Sequence, residues 1–157
     1  MTLTVRLGDL ADPAVQALVR LHLAGMHADS PPGHVQALDD GGLRDPVVTL
    51  WTAWQGPTLA GMAALRMVSS DHAELKSMRT HPDHLRQGVA RALLDAALAE
   101  ARRRGVSIVS LETGSGPAFA PALALYERAG FRPGAAFGDY PASDFSQFWH
   151  LALHTPP

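Results

Sequence analysis

From Ala73 to Gly105 the chain reads AELKSMRTHPDHLRQGVARALLDAALAEARRRG, and this stretch decides the fold. Ala73 to Thr80 carries Leu75 and Met78 with no breaker inside it, as a strand does, and His81-Pro82-Asp83 ends it. From Val89 onward, Ala90, Leu93, Leu94, Ala97, Leu98 and Ala101 recur at three- and four-residue spacing, which predicts a helix with one buried face. Arg102, Arg103 and Arg104 fill its last turn, where cations suit the negative end of the helix dipole, and Gly105 stops it. The loop before the helix therefore presents backbone N–H groups that have no intrahelical partner. With Gly88 in that loop, the small Ala90 after it and Arg86 beside it, the stretch reads as an anion site at a helix N-terminus.

The flanking segments set the fold class. Leu3 to Leu7 reads as a short strand, and Asp12-Pro13 starts a helix with Asp as cap and Pro at the first helical position. Its apolar face is expected on Ala14, Leu18, Leu21, Leu23 and Met26, with a break at His27 to Gly33 and a short second helix over Val35 to Leu38. Val47 to Trp54 and Thr58 to Met67 read as two strands of a hairpin joined by Gln55-Gly56-Pro57. Ser69-Ser70-Asp71 then turns the chain into the Ala73 strand. After Gly105, Val106 to Glu112 is β-branched and strand-like, so strand, helix and strand form a βαβ unit with the two strands parallel. Pro117 to Ala129 reads as a helix with Pro121 in its first turn, Phe131 starts another strand, Pro133 to Ser146 is a loop, and Gln147 to Leu153 closes the sheet. A meander that runs into a strand-loop-helix predicts an α+β domain with a mainly antiparallel mixed sheet flanked by helices, not a doubly wound one.

At 157 residues, with 46% hydrophobic and 18% charged residues, the chain is expected to form a single globular domain over residues 1–157. A net charge of −2 argues against nucleic acid as a partner, because the one basic run, Arg102 to Arg104, has a helix-end explanation. The absence of cysteine removes disulfides, thiolate nucleophiles and cysteine metal sites, and the eight histidines show no His-x-x-x-His on a helix, so no metal is expected. No apolar stretch approaches the ~18 residues of a membrane span, and the start lacks the apolar core of a signal peptide, which predicts a cytoplasmic protein.

Leu85-Arg86-Gln87-Gly88-Val89-Ala90 resembles the acyl-coenzyme A pyrophosphate loop of the GCN5-related N-acetyltransferase (GNAT) superfamily, whose pattern is Gln/Arg-x-x-Gly-x-Gly/Ala. Leu85 departs from it at the first position, leaving Arg86 or the loop amides to replace that side chain. Leu125-Tyr126-Glu127-Arg128-Ala129-Gly130-Phe131 resembles the segment that ends the coenzyme-side helix of many members. The Asn usual seven residues before the Tyr is Phe119 here, so its contact is either lost or taken over by Ser115. Ser77 to Pro82, Leu111 to Ser115 and Phe137 to Tyr140 are similar to one subgroup of small bacterial members whose acceptors are mostly unassigned.

The resemblance implies a GNAT-type sheet, acetyl-CoA as co-substrate and transfer to an amine. Coenzyme contacts would fall on Met78, Arg79 and Thr80 in the strand, on Arg86, Gln87, Gly88, Val89, Ala90 and Arg91 in the loop, and on Ser115 and Phe119. The pantetheine arm would pair with the backbone of Met78 and Thr80 where the parallel strands splay. Acetyl transfer needs an acceptor amine freed of its proton and a donor for the departing thiolate. Glu74, fourteen residues before Gly88, stands at the spacing of the general base in the histone-acetylating branch; the plainer reading is that it points outward or pairs with Lys76, and Glu112 or a water chain would then be the base. Tyr126 is the implied general acid, against the reading of a core aromatic. His27, Ser30, Trp51, Trp54 and Tyr140 lie in segments that border the acceptor side in this fold, although for each Trp a core role competes. A small-molecule amine, with or without a carboxylate, is the expected acceptor, and a homodimer through the C-terminal strands, with Phe145, Phe148, Trp149 and Leu151, is a further expectation. A non-catalytic acyl-coenzyme A sensor and an acyltransferase for longer chains are the alternatives; a sensor would need neither Glu74 nor Tyr126.

Overall fold

The computed structural model describes residues 2–35, 37–141 and 143–153. These form a seven-stranded sheet in the order β1-β2-β3-β4-β5-β7-β6, built from β1 (Thr4–Leu7), β2 (Val48–Gln55), β3 (Thr58–Met67), β4 (His72–Thr80), β5 (Ile108–Thr113), β6 (Arg132–Pro133) and β7 (Gln147–Ala152). Every pairing is antiparallel except β4 with β5, the pair that the crossover helix α3 (Val89–Arg103) connects. The expected α+β architecture is thus present.

Two cores cover the two faces of the sheet. On one, α3 presents Val89, Leu93, Leu94, Ala97, Leu98 and Ala101, all buried, against Leu65, Leu75, Val109 and Leu111. Burial of each such Leu contributes roughly 1.5–3 kcal/mol, so this face anchors β4 and the loop that follows it. Tyr126 and Leu125 of α4 (Ala120–Ala129) extend the same core toward Phe131. On the other face, α1 (Pro13–Asp29) packs Val15, Leu18 and Val19 on Leu50, Trp54, Met62 and Ala64.

Several boundaries differ from the sequence expectation. Asp12 caps α1 as expected, its carboxylate accepting the Ala14 N–H at 2.8 Å, but the helix runs through His27 to Asp29 instead of breaking there. Its buried face is Val15, Leu18, Val19 and His22, while Ala14 is exposed and Leu21 is 36% exposed. The helix is apolar over much of its circumference, so periodicity alone did not select the face; packing on the sheet did. The second helix, α2, lies at Asp40–Leu43 and not over Val35 to Leu38, because Asp39 caps it by accepting the Gly42 N–H at 2.8 Å; Gln36 falls outside the described residues. Pro117–Phe119 is a 3₁₀ turn that precedes α4, in place of one continuous helix. The strand expected at Phe131 is two residues long. Of the C-terminal apolar residues, Phe148 is buried in this chain and Phe145 packs edge-on to Phe119, so both have intramolecular roles.

Candidate active site

The site originates in β4. Parallel pairing with β5 lasts for three residues, His72 with Ile108, Ala73 with Val109 and Glu74 with Ser110, and then stops, although β5 continues beside β7 to Thr113. On its other side β4 is bulged: Ser77 and Met78 together oppose Ala63, and Ser77 takes φ 55°. A bulge bends the strand and increases its twist, which turns the second half of β4 away from β5. Gly61 permits this, since a Cβ there would lie 2.9 Å from the Arg79 carbonyl oxygen and 2.7 Å from Val89. The result is a cleft lined by Ser77 and Met78 of β4, Leu111 and Glu112 of β5, and Phe119 and Tyr126 of the α4 segment. The Ser77 hydroxyl is buried without a hydrogen-bond partner among the described residues, and Ser77 lines this cleft. A buried polar group of this kind is satisfied by a bound group or by water.

At the end of β4 the loop bears the features of an anion site. Arg86 (φ 61°) and Gly88 (φ 79°) are both left-handed, and Gly88 is the N-cap of α3 with no side-chain capping bond. The first turn of α3 contains no acidic residue to complement its free N–H groups. A Cβ on Gly88 would meet nothing within 4 Å, so here the glycine answers to backbone conformation and the space above it is open. Gln87 is held from outside, its Oε1 accepting from Gln55 Nε2 at 2.5 Å.

Glu74 projects to the α1 face and is 2% exposed. Its Oε2 accepts the Tyr140 hydroxyl proton and lies 3.3 Å from Lys76 Nζ, which also donates to the Tyr140 oxygen at 2.5 Å. Its Oε1 faces Arg66 Nη1 at 3.8 Å. The ion pair with Lys76 that stood as the plain reading is therefore present, and Glu74 still lines the cleft. Burial, then the charge of Glu74, pushes the Tyr140 phenol well above its ordinary value, so Tyr140 remains a donor. Tyr126 is buried between α4 and the sheet, its phenol also raised by burial, and its hydroxyl has no hydrogen-bond partner among the described residues. Glu112 carries a raised pKa because it is buried, with the charge of Lys76 working the other way.

Placement corrects several sequence expectations. The Arg79 side chain turns into α1, where Nε donates to His22 Nδ1 at 2.9 Å, so any coenzyme contact it makes falls to its backbone. The Ser115 hydroxyl donates to the Phe145 carbonyl at 2.7 Å and accepts from Gln147 at 3.1 Å; it holds the loop and does not stand free for the absent Asn. Trp51 is buried in the α3-side core, on the face opposite Glu74, and Trp54 is buried under α1 with Nε1 donating to Thr52 at 2.9 Å. His27 is exposed and is not among the residues that line this cleft. Ser30 Oγ is buried without a partner among the described residues but lies outside the cleft lining. Of the acceptor-side candidates, Tyr140 alone touches Glu74. Two side chains escaped the sequence reading: His22, and Arg66, which the β3–β4 register places directly across from Glu74.

A mixed sheet whose central parallel strands part, followed by an uncapped glycine loop and helix, defines the class of acyl-coenzyme A-dependent N-acetyltransferases. The chain belongs to the Acetyltransferase (GNAT) family, whose model matches residues 15–131. It is similar to the Uncharacterized N-acetyltransferase YedL of Escherichia coli (strain K12), 45% identical over 96% of this chain and 94% of that one. It is equally similar to the Uncharacterized N-acetyltransferase YsnE of Bacillus subtilis (strain 168), 45% identical over 87% of this chain and 90% of that one. Among solved structures, a putative acyl-CoA N-acyltransferase from Klebsiella pneumoniae superposes with a TM-score of 0.79 at 24% identity, covering 98% of this chain and 99% of that one. The putative acetyltransferase yncA from Salmonella typhimurium, solved with acetyl-CoA, superposes with a TM-score of 0.72 at 20% identity, covering 100% of this chain and 98% of that one.

Proposed function

We propose that the chain transfers the acetyl group of acetyl-CoA directly to the amine of a small molecule, with Glu74 as general base and Tyr126 as general acid. The observation that carries this reading is that Glu74 and Tyr126, 52 residues apart in the sequence (126 minus 74), line one cleft where β4 and β5 part. Acetyl-CoA supplies an acetyl thioester when bound. The free N–H groups at the start of α3 and the loop of Arg86 to Ala90 suit its pyrophosphate, and the edge of β4 released by β5 suits its amide-bearing arm.

The chemistry assigned to the residues follows from their surroundings. Glu74 takes one proton from the acceptor ammonium, so that the nitrogen lone pair attacks the thioester carbon. Its Oε2 is occupied by Tyr140 and Lys76, which leaves Oε1 as the accepting oxygen. As the carbon–sulfur bond breaks, the Tyr126 hydroxyl, kept protonated by its burial until that step, gives its proton to the sulfur, and the second proton that the nitrogen sheds as the amide forms returns to the phenolate. Loss of the Tyr126 hydroxyl or of the Glu74 carboxylate then lowers the rate in different ways.

The test is thiol release from acetyl-CoA over a panel of amines, preceded by a thermal-shift screen of acyl-coenzymes. Stabilisation by acetyl-CoA with amine-dependent thiol release supports the reading. Stabilisation with no release over any amine would leave a sensor, and a larger shift with longer acyl chains would change the donor.

A further inference from the structure

Glu74 and Lys76 also line a second cavity on the α1 face, of about 570 Å³, whose rim carries Arg66 and whose walls include Leu38, Val68 and Phe137. This is the size of a small-molecule site. Two of its charged groups have unused capacity. The Arg66 side chain is 43% exposed, and its nearest acidic oxygen, Glu74 Oε1, is 3.8 Å away, beyond hydrogen-bond distance. Its guanidinium makes no hydrogen bond to any described residue, although it has five donors in a planar fork. Among the described residues Glu74 Oε1 likewise has no partner nearer than Arg66, because Tyr140 and Lys76 both approach Oε2. The two groups sit on paired strands at directly opposed positions, Arg66 of β3 against Glu74 of β4, so the backbone register sets their separation.

One carboxylate oxygen and one guanidinium, neither hydrogen-bonded to a described residue and one residue pair apart, match a molecule whose own ammonium and carboxylate are separated by a single carbon. Standard bond lengths place those two groups about 2.5–3.5 Å apart. We propose that the acceptor is a free α-amino acid with an apolar side chain. Its ammonium meets Glu74 Oε1, where the proton is taken, its carboxylate is gripped by the Arg66 fork, and its side chain lies against Leu38, Val68 and Phe137. The zwitterion replaces one long, half-exposed ion pair with two charge-assisted contacts of hydrogen-bond length. Asp139 also borders the cavity, but it is exposed, so water and salt weaken its repulsion of the carboxylate. The inference rests on the reading of Glu74 as the base for acetyl transfer.

The test compares phenylalanine with phenylalanine amide and phenethylamine, and leucine with isoamylamine, in wild type, Arg66→Gln and Arg66→Lys, with acetyl-CoA as donor. Wild type is expected to favour each amino acid over its carboxylate-free analogue by about 10- to 100-fold in kcat/KM. Within Arg66→Gln the ratio of the phenylalanine rate to the phenethylamine rate should fall to about one, whatever the change in the absolute rates, and Arg66→Lys should restore part of the ratio. Equal rates on phenylalanine and phenethylamine in wild type, or an intact preference in Arg66→Gln, would overturn the amino-acid assignment and leave the transferase reading standing. No thiol release over any of the five amines, with acetyl-CoA still stabilising the protein, would also overturn the amino-acid assignment; release over the wider amine panel would then keep the transferase reading, and silence there as well would leave a sensor.

Discussion

Tyr140 donates its hydroxyl proton to Glu74 Oε2 across 66 residues of chain, and so fastens the loop after Phe137 to the central strand of the sheet. Lys76 Nζ, at 2.5 Å from the same phenol oxygen, completes the triangle. A hydrogen bond to a charged group contributes about 1.5–3 kcal/mol, more than a neutral one, and Glu74 is nearly inaccessible to replacement water. Tyr140→Phe should therefore destabilise the fold by about that amount in urea denaturation. The aromatic contacts with Phe137 and Phe148, centroids 5.3 and 5.8 Å away, survive the change, so the loss isolates the hydroxyl. A denaturation midpoint equal to wild type would mean that the bond contributes nothing net.

The Arg79–His22 contact makes stability depend on acid. Arg79 Nε donates to His22 Nδ1, which must therefore carry a lone pair, so His22 is neutral in the fold. Burial, reinforced by the Arg79 charge, lowers the His22 pKa from 6.5 to about 4. The unfolded chain binds the proton first as pH falls, so this stability is complete above about pH 6.5 and is lost progressively between 6.5 and 4. That shift corresponds to about 3 kcal/mol. His22→Asn retains an acceptor near the Nδ1 position without the titration, and its stability should fall less steeply between pH 6.5 and 4.5. Parallel slopes for the two proteins would remove His22 as the source.

What the sequence revealed follows from how local each signal is. The strand, loop and helix from Ala73 to Gly105 are legible because their breakers, period and end residues are neighbours in the chain, and the structure places six of those helix residues in the core. Trp51 was misassigned to the acceptor side for the opposite reason. Alternation along β2 says that Trp51 and Leu50 point to different faces, but not which face lies under Glu74. Arg66 stayed hidden although the hairpin was readable, since only the register of β3 on β4 sets it against Glu74. His22 and Arg79 meet across 57 residues, between a helix and a strand, and nothing in either segment advertises the other.

Gly88 permits a separation of backbone strain from ligand exclusion. Its φ of 79° disfavours any side chain, so Gly88→Ala should cost about 1–2 kcal/mol of stability. The space around it is open, however, so the methyl group should leave most of the acetyl-CoA binding intact. Gly88→Glu adds bulk and negative charge at the helix N-terminus, and should abolish the stabilisation that acetyl-CoA gives wild type. That stabilisation is about 2.7 kcal/mol at 100 times the dissociation constant. Thermal unfolding of the three proteins with and without acetyl-CoA is the measurement, and an undiminished shift in Gly88→Glu would move the pyrophosphate elsewhere.

The two assigned proton transfers should leave different marks on the pH profile. Tyr126 has its pKa raised by burial above the ordinary phenol value, so it is protonated throughout the range in which the enzyme is assayed. Tyr126→Phe should lower kcat by about 10²-fold or more without moving the profile, and with little change in acetyl-CoA affinity, because the ring remains packed on Phe131 at 5.7 Å. Glu74→Gln keeps the shape of the side chain but removes the basic oxygen facing Arg66. Its rate should fall by about 10²–10⁴-fold near neutral pH and recover partly in alkaline solution, where the acceptor is already a free amine. The variant leaves Arg66 and Lys76 beside a neutral group, so thermal unfolding must first confirm that it is folded at the assay temperature. A rate within about threefold of wild type, with an unmoved profile, would make Glu74 an anchor for Tyr140 and Lys76. The proton would then pass to Glu112, whose raised pKa and position in the same cleft suit it to the role, or to water held there.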